Sequence, residues 1–303
     1  MKQIVVMSGK GGSGKTFVSS SFAAIAGTDG DAGSTTFADC DVDAANLHLM
    51  LDPRETSCSD FVSGKLAEVD PDRCTGCGLC VDACRFEAVS LVRTDGRTRA
   101  LVDPIACEGC GVCEYVCPEN AVALSEQRRG SWCVSRTPYG ALVHAHLEPG
   151  EENSGKLVAK VRDVAVERAR EARAEWILID GPPGTGCAAK SAITGTDYVL
   201  LVAEPTPSGI HDMLRVVDLA HHFRIPLGLI VNKADLAPHR TEELRRIAAE
   251  QAIEWLGEIP FSRAVPEALT TLTPYPSGRD DEITATLDAA WCRVRAELTQ
   301  AVV

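Results

Sequence analysis

The sequence predicts an α/β protein, a mostly parallel sheet flanked by helices, interrupted by a small cysteine-rich insertion of α+β character. Three observations carry this. Apolar runs of strand length alternate with longer stretches of helical period. The first run ends in a glycine-rich loop that opens onto a helix. Eight of the thirteen cysteines fall in two four-cysteine runs, where the strand–helix alternation stops.

Lys2 to Met7 is a short apolar strand, and the helix after the loop runs over 15–26. Thr35 to Ala38 is the next strand, followed by the acidic stretch Asp39-Cys40-Asp41-Val42-Asp43. After the insertion the strands resume at Trp132 to Ser135, then Trp176 to Asp180, Asp197 to Ala203 and Leu227 to Val231. Helical stretches lie near 155–174, 208–222, 240–252 and 283–300, the first of them capped by Asn153 or Ser154. In the insertion, Ala88 to Val92 and Arg99 to Val102 flank an Asp95-Gly96 turn and predict a β-hairpin.

Composition narrows the function classes. A chain of 303 residues, 45% hydrophobic and 24% charged, is globular and long enough to bury a core. A net charge of −13 speaks against sequence-independent binding to nucleic acid or to anionic membranes. No apolar run approaches a membrane span, and the N-terminus reads as a strand and not as a signal peptide, so a soluble cytoplasmic chain is expected. Ile283, Leu287, Trp291, Val294 and Leu298 form an apolar stripe opposite a face of mixed charge, which predicts a core-packing helix and not a membrane anchor.

The cysteine runs repeat. Cys74, Cys77, Cys80 and Cys84 are matched 33 positions later by Cys107, Cys110, Cys113 and Cys117. This is the C-x2-C-x2-C-x3-C spacing of bacterial ferredoxins, in which the fourth cysteine serves the other cluster. Cys74, Cys77, Cys80 and Cys117 are thus expected to hold one 4Fe-4S cluster, and Cys107, Cys110, Cys113 and Cys84 the second. Structural zinc is the competing reading, but zinc sites come as CxxC pairs. Pro118 follows the second run as the motif asks, whereas Arg85 follows the first. The remaining five, Cys40, Cys58, Cys133, Cys187 and Cys292, read as small buried hydrophobes.

Gly9 to Thr16 fits G-x-x-x-x-G-K-T between a strand and a helix. The amides of Gly11, Gly12, Ser13 and Gly14 would cradle phosphates, aided by the helix dipole. Lys15 would reach the β- and γ-phosphates, and Thr16 would ligate Mg2+. Asn232-Lys233-Ala234-Asp235 follows a buried strand and fits N-K-x-D, so Asn232 and Asp235 are candidates for reading the base, with guanine left open beside adenine.

A second lysine, Lys10, stands near the start of this loop. With Asp39-Cys-Asp41-Val-Asp, Trp176-Ile-Leu-Ile-Asp180 and the ferredoxin-like runs, the chain resembles over nearly its whole length the MinD-superfamily P-loop ATPases (deviant Walker A) with an inserted ferredoxin domain. The resemblance implies ATP and Mg2+ as ligands and an ATP-sandwich homodimer in which Lys10 crosses to the partner's nucleotide. It implies that Asp41 positions the attacking water while Asp39 and Asp180 support Mg2+. Cys187 stands at the offset from Asp180 at which the related nitrogenase iron protein carries a cysteine for an intersubunit cluster.

The expected fold is therefore α/β, a P-loop NTPase sheet over 1–64 and 131–303, with an α+β bacterial-type ferredoxin domain with two 4Fe-4S motifs inserted at 65–130. The expected function is an ATP-hydrolysing, nucleotide-switched dimer coupled to electron transfer with a redox partner. The alternatives are an ATP-dependent factor in metallocofactor or iron–sulfur assembly, with a cofactor-assembly partner, and a MinD/ParA-like positioning scaffold. The charge and the C-terminal helix speak against the scaffold.

Overall fold

The apolar runs of the sequence form the centre of one sheet. The structure is a computed structural model that describes residues 1–28, 33–149, 154–276 and 281–300. The chain divides into two units, one made of Met1–Ser59 and Ser131–Val303, the other of Asp60–Gly130.

In the larger unit the chain runs through β1 (Lys2–Ser8), α1 (Lys15–Thr28), β2 (Thr35–Asp39) and α2 (Leu47–Met50) into β3 (Arg54–Val69). The smaller unit continues with α3 (Leu79–Ala83), β4 (Val89–Thr94), β5 (Arg97–Val102) and α4 (Val112–Tyr115), and the chain leaves it along β6 (Val122–Thr137). The larger unit is completed by β7 (Gly140–Leu147), α5 (Ser154–Ala172), β8 (Trp176–Pro183), α6 (Cys187–Ile193), β9 (Tyr198–Ala203), α7 (Pro207–Phe223), β10 (Leu227–Asn232), α8 (Pro238–Glu250), β11 (Glu254–Ile259), α9 (Ala264–Thr270) and α10 (Glu282–Gln300).

The sheet order is β11-β10-β9-β1-β8-β2-β7-β6-β3. All pairs from β11 to β7 are parallel, as buried, near-continuous apolar strands require. Every residue of β9 and β10 is buried. The core joins α1, the sheet and α10 through Phe22, Phe37, Leu178 and Trp291. Ile283, Leu287, Trp291, Val294 and Leu298 are all buried in it, so the C-terminal stripe packs the core as its pattern predicts. Among the described residues no helix is long and apolar enough to cross a membrane.

Two elements differ from expectation. Trp132 to Ser135 is the end of the 16-residue strand β6, which starts at Val122. β3 is equally long and carries no apolar run, since most of its residues are exposed. The β4–β5 hairpin forms in register from Val89↔Val102 to Thr94↔Arg97, with Asp95 and Gly96 both at positive φ. Helix α5 starts at Ser154, and Asn153 lies outside the described residues.

Candidate functional site

β1 ends at Ser8 and the chain wraps through Gly9–Gly14 before α1 begins at Lys15. Gly12 and Gly14 have φ of +79° and +102°, a conformation that favours glycine. A Cβ on Gly14 would also strike the Asn232 amide. The loop is braced internally, with Ser8 Oγ and Ser13 Oγ donating to the Lys10 carbonyl at 2.7 and 3.1 Å. Asn232 Nδ2 donates to the Ser13 carbonyl at 3.0 Å. The outcome is a cleft of about 740 Å³ lined by Gly11, Gly12, Gly14, Lys15, Thr16 and Asp41, with apolar Leu49, Met50, Leu269 and Leu272 at its sides.

The acidic residues arrive from adjacent parallel strands. Asp39 ends β2 and is the register partner of Asp180 on β8. Asp180 accepts from Thr16 Oγ1 at 2.8 Å and from Ser19 Oγ at 3.0 Å. Asp39 accepts the Asp41 and Leu47 amides at 3.2 and 3.0 Å, so it holds the acidic loop in place and is not among the cleft-lining residues. Lys15 Nζ lies 3.8 Å from Asp41 Oδ2.

Burial, and then the charge of Asp180, hold the Asp39 carboxyl well above the usual range. Burial also raises Asp180, against the opposing pull of Lys15, Thr16 and Ser19. Asp41 is pushed up to about 6 by burial, with Lys15 opposing. Two buried neighbouring carboxylates beside a hydroxyl are the hard oxygen donors that suit Mg2+, whose charge would relieve their repulsion. Thr16, which lines the cleft, could hold it together with Asp180, which like Asp39 lies buried behind the cleft lining.

In the smaller unit the cysteines gather into two cavities. Cys74, Cys77, Cys80 and Cys117 line one, a small cavity of about 20 Å³. Cys84, Cys107, Cys110 and Cys113 line the other, also about 20 Å³. The runs fold alike: Gly78 (φ 84°) and Gly111 (φ 80°) start α3 and α4 in the left-handed conformation. Gly76 and Gly109 also have positive φ, and a Cβ there would strike the carbonyls of Thr98 and Lys65. Backbone amides of Ala100 and Ala121 donate to the sulfurs of Cys74 and Cys117 at 3.4 and 3.3 Å. Among the described residues, no three His, Cys, Asp or Glu side chains converge on a single-ion site.

Residues 4–274 match the CobQ/CobB/MinD/ParA nucleotide binding domain. The chain belongs to this family. It is also 34% identical over 231 residues to an uncharacterized protein of Methanocaldococcus jannaschii, covering 76% of this chain and 78% of that one. Two solved structures share its fold. The cell division ATPase MinD of Pyrococcus furiosus matches with a TM-score of 0.55 at 18% identity, covering 100% of this chain and 99% of that one. MinD of Pyrococcus horikoshii, solved with Mg-ADP, matches at 0.57 and 17%, covering 97% and 95%.

Membership in the CobQ/CobB/MinD/ParA family makes the larger unit a nucleotide-binding domain. Lys10 does not line the cleft, and several side chains around it have partners that sequence reasoning did not foresee. Lys10 Nζ pairs within its own chain with Glu204 Oε2 at 3.1 Å and Thr206 Oγ1 at 3.4 Å. Lys233 pairs with the other oxygen of Glu204. Burial raises the Glu204 carboxyl, but its hydrogen bonds to Lys233 and Lys10 outweigh this and hold it below the ordinary range. Neither Asn232 nor Asp235 lines the cleft. Asn232 braces the loop, and Asp235 accepts the Phe261 amide. Ser19, fully buried, was missed because a serine within an Ala/Ser-rich helix carries no signal until Asp180 is seen beside it.

The lone cysteines correct the sequence reading. Only Cys40 is a free buried thiol among them. Cys58 and Cys133 form a disulfide, and Cys187 and Cys292 are exposed. Cys187 lines the cleft at the start of α6.

Proposed function

We propose that this ATPase is a nucleotide-switched homodimer coupled to electron transfer through two 4Fe-4S clusters held by its smaller unit. The observation that carries the reading is the sorting of eight cysteines into two cavities. In each, three come from one run and the fourth from the other, as the interleaved ferredoxin pattern asks. A cubane gives each thiolate its own iron, so its four ligands stand around a volume and need not converge as on one ion. When bound, such clusters would supply one-electron chemistry at Cys74, Cys77, Cys80 and Cys117 and at Cys84, Cys107, Cys110 and Cys113.

In the ATPase unit the amides of Gly11 to Gly14 and Lys15 would hold the phosphates, and Thr16 and Asp180 the Mg2+. Asp41 would orient a water for in-line attack on the γ-phosphorus, yielding ADP and phosphate. Lys10 would leave Glu204 and reach the nucleotide of the partner subunit.

Iron and acid-labile sulfide analysis of anaerobically reconstituted full chain tests the reading. About eight of each per chain are expected; stoichiometric zinc in their place would refute it. Closed four-cysteine sets favour resident clusters over cargo for assembly. A second reading, a positioning ATPase, is favoured by the fold shared with MinD. ATP-dependent co-sedimentation with liposomes or DNA would establish it.

A further inference from the structure

We propose that Cys58–Cys133 is a redox-active site that exchanges with a dithiol, and that its state is read by the acidic loop that Asp39 holds beside the nucleotide cleft. The disulfide joins β3 to β6 within the ATPase unit. Cys58 lies two residues before the chain enters the cysteine-rich unit, and Cys133 lies just after it returns. The other eleven cysteines are free. Outside oxidising compartments, a disulfide is more often switching than structural. Cys58 is exposed while Cys133 is 8% exposed, so an attacking thiolate has one accessible sulfur. Exposed disulfides are the labile and regulatory ones.

A set of contacts leads from this bond to Asp39, which holds the acidic loop whose Asp41 lines the nucleotide cleft. Side chains two apart on a strand share a face, which puts Thr56 beside Cys58 and Ser135 beside Cys133. The Thr56 and Ser135 hydroxyls hydrogen-bond at 2.8 Å. Ser135, 1% exposed, hydrogen-bonds His144 Nε2 at 3.0 Å. The His144 ring stacks on His48 of α2 at 5.1 Å and 7°. Leu47, the first residue of α2, donates its amide to Asp39 Oδ2 at 3.0 Å. The cross-link fixes β3 against β6 and hence the Thr56–Ser135 pair that seats His144. With the bond intact, α2 and the Asp39 loop are held in place and less ordering remains to be done on Mg-nucleotide binding.

The exchange balances with a dithiol as reductant. Its thiolate attacks Cys58 Sγ, a mixed disulfide forms, and Cys133 leaves as a thiolate and takes up a proton. The second thiol then attacks the mixed disulfide and releases Cys58. Two electrons and two protons pass to the protein, and the dithiol becomes a disulfide.

The full chain is equilibrated anaerobically in mixtures of reduced and oxidised dithiothreitol, with its metal content followed throughout. Cys58 and Cys133 are quantified by differential alkylation and peptide mapping, and Mg-nucleotide affinity is read with a fluorescent nucleotide. The two thiols should appear and disappear together and reversibly, and the oxidised form should bind about fivefold tighter. Ser135→Ala should keep the thiol titration and lose the affinity difference. Cys58→Ser should bind like the reduced form at every mixture. Cys58 or Cys133 remaining alkylatable throughout, or equal affinities of the two forms, would overturn the proposal. The thiol readout is independent of the clusters and separates this result from the fate of the redox function.

Discussion

Glu204→Gln should make nucleotide-driven dimerisation easier. In the free chain Lys10 is held by Glu204, whose side chain is only 12% exposed against 31% for Lys10. If Lys10 acts on the partner's nucleotide, this ion pair must break in each subunit. Partly screened pairs are worth up to about 1 kcal/mol, and the low exposure of Glu204 puts this one near that limit. A symmetric dimer breaks two, so removing the charge should favour the dimer by about 2 kcal/mol, about 30-fold in dissociation constant. Gln keeps the shape, and its one carbonyl oxygen can still accept from Lys233, while the amide nitrogen offers Lys10 no acceptor and frees it. Sedimentation velocity across a concentration series with Mg2+ and a non-hydrolysable ATP analogue measures the effect. Unchanged or weaker dimerisation would refute the idea that the Glu204 contact restrains Lys10.

Other perturbations separate the two units. Cys117→Ser should lose about half of the bound iron, since it removes one ligand from the Cys74 set alone, with nucleotide affinity unchanged. Gly109→Ala places a Cβ against the Lys65 carbonyl at φ +60° and should destabilise the smaller unit by on the order of 2 kcal/mol, read as lost iron and a lower melting transition for that unit. For pH, Asp41 titrates at about 6 in the free protein, held up by burial. Since kcat/KM reports the free enzyme, kcat/KM for MgATP should fall as pH drops through about 6, and Asp41→Asn should abolish that limb together with most activity.

Most of the site was legible because its residues sit at fixed offsets in continuous sequence. Gly11 to Thr16 read as a phosphate loop by their spacing, and the cysteine runs sort in space into the two sets that their spacing predicts. The parallel strands declare themselves by being apolar throughout, since both faces are buried. β3 and the first half of β6 were not legible, because Ser125-Glu-Gln-Arg-Arg and Arg54-Glu-Thr-Ser are polar on both faces. Their order comes from strand pairing, which leaves no hydrophobic period to read. The partners of Lys10 and Asn232 were hidden for another reason. Each is set by a side chain or carbonyl from elsewhere in the fold, with Glu204 almost two hundred positions from Lys10. The disulfide was hidden likewise, since 75 residues separate Cys58 from Cys133 and only pairing β3 with β6 brings them together.

Anaerobic EPR of the reduced, iron-replete chain, with a redox titration in the presence and absence of MgATP, addresses the coupling of nucleotide to clusters. The account predicts two reducible 4Fe-4S signals whose potentials or spin coupling shift when MgATP binds, and a Lys15→Ala chain in which both signals remain and the shift is gone. Clusters that form fully and give the same potentials and line shapes with and without MgATP would contradict it.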